Sequence, residues 1–180
     1  MTTFLEQKNK AELRKSALSL RQTLANSGDI KIISSIITSK ILNSKDFKNA
    51  KNIALYHPYK GEVDILGLLN ICDKNFYFPA CLNNEMEFYK YTGEFKQGQY
   101  GIYEANGQKI LASELDIIYI PALMANNQNY RLGYGKGYYD RFFAKYQTRA
   151  KKIIIVPSKM ISNASFQNNF DYRCDGIITE

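Results

Sequence analysis

The chain has 180 residues, of which 45% are hydrophobic and 23% charged, ordinary values for a globular protein with a core of its own. No apolar run approaches the roughly 20 residues that cross a bilayer, and the N-terminal "MTTFLEQKNKAELRK" has no apolar signal core. Cys72, Cys81 and Cys174, with a lone His57, form neither a disulfide framework nor a zinc cluster, which leaves one cytoplasmic domain whose cysteines serve as small buried hydrophobes.

The formal charge of +7 is concentrated near the start. Residues 1–60 hold 11 Lys and Arg against 4 acids, whereas the remaining 120 hold 13 of each. Such an excess attracts nucleic acid, anionic lipid or a polyanionic small molecule; the alternative is a plain solvated surface. The first predicted element, "KAELRKSALSLRQTLA", is a helix. Leu13, Ala17, Leu20 and Leu24 give it a buried stripe, and Lys10, Arg14 and Arg21 lie on one edge of that stripe. A second helix follows in "DIKIISSIITSKILN", with Asp29 as its cap and the isoleucines inward.

The texture then changes to short apolar runs. "NIALYHP", "FYFPACL", "LDIIYIPAL" and "KKIIIVP" read as strands covered on both faces. "DILGLLNICDK" and "YYDRFFAKYQ" between them read as helices, and residues 82–110 as a hairpin and loop excursion. Strands alternating with helices place the chain in the α/β class, as a three-layer Rossmann-like domain with a largely parallel sheet flanked by helices.

The stretch "NYRLGYGKGYYDRFF" carries the chemistry. A strand precedes it, and Tyr139, Phe142, Phe143 and Tyr146 follow at helical spacing, so Gly133, Gly135 and Gly137 lead a loop into a helix N-terminus. Glycines there admit positive φ and close approach of backbone N–H groups, and the helix start favours an anion such as phosphate. Lys136 adds a compact positive charge, while Arg131 and Arg141 supply forks suited to anionic oxygens. The pattern is neither a Walker loop, since Tyr138 follows Gly137, nor a GxGxxG fingerprint; a tight turn with basic neighbours is the alternative reading. Asp140 either steadies the helix dipole, by about 0.3–1 kcal/mol, or holds Mg²⁺ beside a phosphate together with a second acid, Asp171 or Asp175.

"RLGYGKGYYDR" resembles the signature of the 5-formyltetrahydrofolate cyclo-ligase family. "KAELRK", "IALYHPYKGEVD", "GIYE", "DIIYIPAL" and "FDYRCDGIITE" resemble its other segments, in the right order and over nearly the whole chain. The resemblance implies a single domain over residues 1–180 that converts 5-formyltetrahydrofolate and ATP to 5,10-methenyltetrahydrofolate, ADP and phosphate. Moving the γ-phosphoryl onto the formyl oxygen turns a poor leaving group into phosphate. The protein's work is then positioning and charge neutralisation, with Lys136, Arg131 and Arg141 as the catalytic charges.

Carried over by position, the resemblance assigns Lys10, Arg14 and the run Arg131, Leu132, Gly133, Tyr134, Gly135, Lys136, Gly137, Tyr138 and Tyr139 to ATP. His57 and Glu62, with Tyr134 to Tyr138, line the folate site, where Glu62 would accept hydrogen bonds from the pterin. Asp140 and Asp171 would bind Mg²⁺. The chain departs from the family pattern at Ala125 and Asn126, in "EAN" after "GIY", and before Asp171. The expected partners are small molecules, with no nucleic acid and no membrane, and the expected state is a monomer. Two rival functions stand beside this one: a basic nucleic-acid-binding module with stacking aromatics, and a same-fold enzyme acting on sugar phosphates or CoA esters without ATP.

Overall fold

A computed structural model describes residues 9–98 and 101–180. The first eight residues, read above as lacking a signal core, and Gln99 and Tyr100 of the excursion lie outside the described residues. Helix α1, Lys10–Ser27, starts where Asn9 accepts from the Ala11 N–H at 2.9 Å, and buries Leu13, Ala17 and Leu24. Arg21, expected on the edge of that stripe, lies within it and is 3% exposed. Helix α2, Asp29–Asn43, follows at once. Asp29 does not cap it: Gly28, at φ 81°, ends α1 and begins α2, and its left-handed turn leaves Asp29 as the first helical residue. Helix α3, Lys45–Asn49, is capped by Ser44.

The strands follow in chain order: β1 Asn52–Ala54, β2 Asn75–Leu82, β3 Glu85–Lys90, β4 Lys96–Gln97, β5 Tyr103–Glu104, β6 Lys109–Ile110, β7 Ile117–Pro121, β8 Met124–Asn126 and β9 Arg131–Leu132. Helix α4, Tyr138–Lys145, precedes β10 Lys151–Ile155, β11 Ile161–Ser162 and β12 Gly176–Ile178. The segment expected as a helix before β2 is only a five-residue 3-10 turn, Leu66–Asn70. Gly67 within it opposes helix by about 1 kcal/mol relative to alanine, and only Leu68 within it is fully buried.

Seven strands form one sheet in the order β12-β10-β7-β1-β2-β3-β6. The first five are parallel, while β3 and β6 add antiparallel. Ile117 to Ile120 of β7 are all buried, as a strand covered on both faces requires. Residues 82–110 form the expected excursion: Asn83 and Asn84, at φ 50° and 64°, turn β2 into β3, and β4 pairs with β5. Pro79 is tolerated inside β2 because β1 has ended: the last bond to that side joins the Leu55 N–H to the Tyr77 carbonyl, at 2.8 Å. Side chains of α1, α2 and α3 share the core with the sheet, and Phe142 of α4 packs edge-on against Phe88 of β3 with ring centres 5.1 Å apart.

Strand order reverses between β1 and β7, since β2 lies beyond the one and β10 beyond the other. In open α/β sheets such a switch point opens a crevice at the carboxyl ends of the strands. Here the two loops leaving it are residues 55–63 and the run from Ala122 into a small sheet, ordered β11-β8-β9. Leu132 of that small sheet packs with Leu13 of α1 and with Phe166, which docks the start of α1 beside the glycine loop.

Candidate functional site

A cleft of about 730 Å³ lies over the switch point. The sixteen residues assigned to sites through the resemblance border it, from Lys10 and Arg14 on α1 and His57 and Glu62 after β1, through the run Arg131 to Arg141, to Asp171, whereas Asp175, the alternative second acid, pairs with Lys152 instead. Residues far apart in the chain converge there because the loops at the carboxyl ends of β1 and β7 face each other.

One wall is the glycine loop. Gly135 and Gly137 have φ of 94° and 68°, so side chains there would be strained. A Cβ on Gly135 would also lie 3.3 Å from the Arg14 guanidinium carbon. Gly137 is the residue before α4 and brings no capping side chain, so the helix start keeps its positive end toward the cleft. Arg14 Nε donates to the Gly133 carbonyl at 2.9 Å. Arg141 is a brace: its Nη1 donates to the Lys136 carbonyl at 2.7 Å, its Nε and Nη2 donate to the Asn84 carbonyl, and it stacks on Tyr138. Arg131 is 6% exposed at its side chain, yet its Nη1 has no hydrogen-bond partner. A buried donor left in that state costs about 1–3 kcal/mol and calls for an acceptor.

The carboxylates expected to hold a metal meet at the same end. Asp140 Oδ1 pairs with Arg131 Nη2 at 2.9 Å and accepts the Tyr172 N–H at 3.0 Å. That amide belongs to the residue after Asp171, whose Oδ2 pairs with Lys10 and accepts the Asn168 N–H at 2.7 Å. No group of three or more ligating side chains that could enclose a metal exists among the described residues. Two carboxylates beside an anion seat nevertheless suit magnesium, which takes one or two carboxylates and completes its shell with phosphate oxygens and water.

The opposite wall is built from the loop after β1. Lys60 and Gly61, at φ 45° and 75°, make a tight turn in which the Glu62 N–H donates to the Tyr59 carbonyl at 3.1 Å. The turn folds the Glu62 carboxylate inward, where it accepts the Tyr59 N–H at 3.0 Å and is 7% exposed. Burial pushes its pKa up to about 7, against the opposing pull of Arg21 and the Tyr59 N–H. His57 packs at a tilt against Tyr103 and meets Phe95 edge-on, with ring centres 4.8 and 5.0 Å away.

Sequence reasoning missed Arg21 as a site residue. Its Nη1 lies 3.5 Å from Glu62 Oε1 and 3.0 Å from the Tyr134 hydroxyl, and its Nη2 donates to the Ala122 carbonyl. The available signal was an arginine eight residues after Leu13 and three before Leu24, on the face that otherwise carries only apolar residues. The cysteines also differ from expectation: Cys174 is buried, but Cys81 is half-buried at the cleft and Cys72 exposed, because the short turn before β2 leaves its end in solvent. The departure at Asn126 has a local use. Its Oδ1 accepts the Gln128 and Tyr130 N–H groups, closing the β8–β9 turn, and its amide donates to Gln167.

The family model of the 5-formyltetrahydrofolate cyclo-ligase family matches residues 6–178. The chain is 30% identical to the 5-formyltetrahydrofolate cyclo-ligase of Haemophilus influenzae over 161 residues, covering 83% of each chain. Its fold is similar to that of the 5,10-methenyltetrahydrofolate synthetase of Mycoplasma pneumoniae, with a TM-score of 0.78, 26% identity, and 96% and 99% of the two chains covered. It is likewise similar to the Aquifex aeolicus 5,10-methenyltetrahydrofolate synthetase, with a TM-score of 0.82, 29% identity, and 93% and 88% covered.

Proposed function

The chain belongs to the 5-formyltetrahydrofolate cyclo-ligase family, and from that premise we propose that it closes 5-formyltetrahydrofolate to 5,10-methenyltetrahydrofolate with ATP, releasing ADP and phosphate. The observation that carries this reading is a single cleft with a cationic glycine loop on one wall and a buried carboxylate, Glu62, on the other.

The γ-phosphoryl of ATP moves to the formyl oxygen; the neighbouring N10 then attacks the formyl carbon. The C–N bond forms, the C–O bond breaks, phosphate leaves with that oxygen, and N10 gives up its proton. No protein nucleophile is needed. The start of α4 and Lys136 face the phosphates, and the orphaned Nη1 of Arg131 supplies a preorganised donor where negative charge gathers. Lys10 and Arg14 of α1 complete the cationic side. Arg141, engaged by two backbone carbonyls, acts by fixing the shape of the loop. Glu62 orients the pterin by accepting from its N–H groups, while Tyr134, Tyr138 and His57 give the rings surfaces to lie against. Asp140 and Asp171 would hold magnesium, which neutralises phosphate charge during transfer. The same proposal has residues 1–180 working as one domain, a cytoplasmic monomer with small-molecule substrates and no nucleic acid. No described helix is long and apolar enough to cross a membrane.

The test is to combine protein, 5-formyltetrahydrofolate, ATP and Mg²⁺ and follow the near-ultraviolet absorbance of the methenyl product. Absorbance that grows only when all are present is expected. No growth, or the same growth without nucleotide, defeats the proposal.

A further inference from the structure

Among the described residues, Arg21 is the buried cation that touches each loop around the switch point. It leaves α1 within the apolar face and is 3% exposed. Its Nη1 reaches Glu62 of the β1 loop and the Tyr134 hydroxyl of the glycine loop, and its Nη2 reaches the Ala122 carbonyl just beyond β7. Gly61, at φ 75°, lies over its aliphatic stem: a Cβ there would be 3.3 Å from Arg21 Cγ. Tyr134 and Tyr59 meet edge-on 6.0 Å apart, so the two walls touch above the guanidinium as well as through it. The arrangement is not one that stability alone would select. A buried ion pair is at best weak stabilisation, and Arg21 Nε is buried without a partner.

We propose that Arg21 is a positioning residue that couples the two halves of the cleft: one guanidinium holds Glu62, Tyr134 and the Ala122 carbonyl in a single arrangement, so that nucleotide on the glycine loop raises the affinity for folate at Glu62, and folate raises the affinity for nucleotide. The inference rests on the proposed reaction. Its physical basis is shared ordering. A ligand that fixes Tyr134 also fixes the guanidinium, and the second ligand then meets a carboxylate whose partner is already in place. Such coupling is reciprocal by thermodynamic necessity. The groups that face Glu62 are Arg21 of α1, the Tyr59 N–H of its own loop, the phenols of Tyr56 after β1 and of Tyr139 in α4, and Tyr134 across the cleft. Arg21 is the cation among them, and it holds Glu62 toward its ionised form.

The experiment measures the Kd of 5-formyltetrahydrofolate with and without a saturating non-hydrolysable ATP analogue, in the full chain and in Arg21→Gln and Arg21→Lys. In the parent chain the analogue is expected to tighten folate binding by about fivefold or more. Arg21→Gln is expected to bind the analogue alone within about twofold of the parent, to lose the coupling, and to raise the folate KM more than it lowers kcat. Its acidic limb of folate binding is expected to move up by on the order of one pH unit as Glu62 loses its cation, a shift that a merely structural role would not produce. Arg21→Lys keeps the charge without the fork and is expected to restore the acidic limb but not the coupling. Should Arg21→Gln fail to fold, Tyr134→Phe removes only the hydroxyl that Arg21 reaches and is expected to weaken the coupling by itself. Full coupling in a folded Arg21→Gln, or in Tyr134→Phe where Arg21→Gln does not fold, overturns the proposal. Independent binding of the two ligands by the parent chain overturns it while leaving the reaction standing; failure of the parent to bind either ligand overturns both.

Discussion

The two walls of the cleft are made in different ways. The glycine wall is a continuous run, residues 131–141, whose charges and left-handed backbone positions are written side by side. The wall opposite is an assembly: Glu62 is turned inward by Lys60 and Gly61, backed by Arg21 from α1, and flanked by His57 packed against Tyr103 of β5. The first presents donors to an incoming anion. The second presents a desolvated carboxylate whose charge is poised near neutrality. Helix-start amides and a lysine need no buried counter-charge, and Arg14 and Arg141 tie their loop in place, whereas a buried carboxylate is tolerable only with its cation beside it.

Substitutions on each side separate these roles, and the largest effect belongs to the glycine wall. Lys136→Ala is expected to lower kcat by about 10²–10³-fold, the usual loss when one preorganised charge is removed from a transition state. Single-turnover phosphoryl transfer reads it, and an unchanged rate would return Lys136 to ordinary surface charge. Asp140→Asn is expected to raise the Mg²⁺ concentration for half-maximal rate by about 10–100-fold, within the range seen when metal-site groups are altered. A magnesium titration that superimposes on the parent removes Asp140 from the metal site and leaves it as the partner of Arg131.

Across the cleft, Glu62→Gln is expected to weaken folate binding by about tenfold, the loss of a charge-assisted hydrogen bond, with kcat changed less than KM. The pH dependence carries a sign. Glu62 has a folded pKa of about 7, above its ordinary 4.5, so its contribution to stability is fully present below about 4.5 and is lost as the pH rises through 7. The Tm of the parent chain is therefore expected to fall more steeply between pH 5 and 8 than that of Glu62→Gln; parallel profiles contradict the raised pKa. An effect of similar size is expected from Gly135→Ala, which adds only a methyl group. Its φ of 94° and the nearby Arg14 make the methyl costly by about 1–2 kcal/mol, read as about a tenfold rise in the nucleotide KM with the folate affinity of the apoprotein kept.

Much of the fold was legible because its signals are local. The apolar spacing of Leu13, Ala17 and Leu24 predicts α1, and the isoleucine runs predict β7 and β10. Where local signals compete, the structure departs from the simplest of them: Gly67 interrupts the apolar pattern of residues 64–74 and leaves a 3-10 turn, and Gly28 takes the capping position for which the sequence offers Asp29. The site divides in the same manner. The role of glycines at positive φ before α4 can be argued from eleven consecutive residues, but the pairing of Lys10 with Asp171 spans 161 positions and that of Arg21 with Tyr134 spans 113. Helical spacing can place Arg21 on the apolar face of α1, but it does not tell which loop, formed a hundred residues later, will cover it.

By itself, then, the sequence determined the class of fold, the strand-to-helix glycine loop and its positive charge, because periodicity and φ preference act between neighbouring residues. Only the tertiary structure decided which groups Arg21 meets, that Arg141 braces the loop through backbone carbonyls, and that Glu62 is buried with a raised pKa. Those outcomes depend on the order of strands at the switch point, which sets the loops facing one another and the water excluded between them.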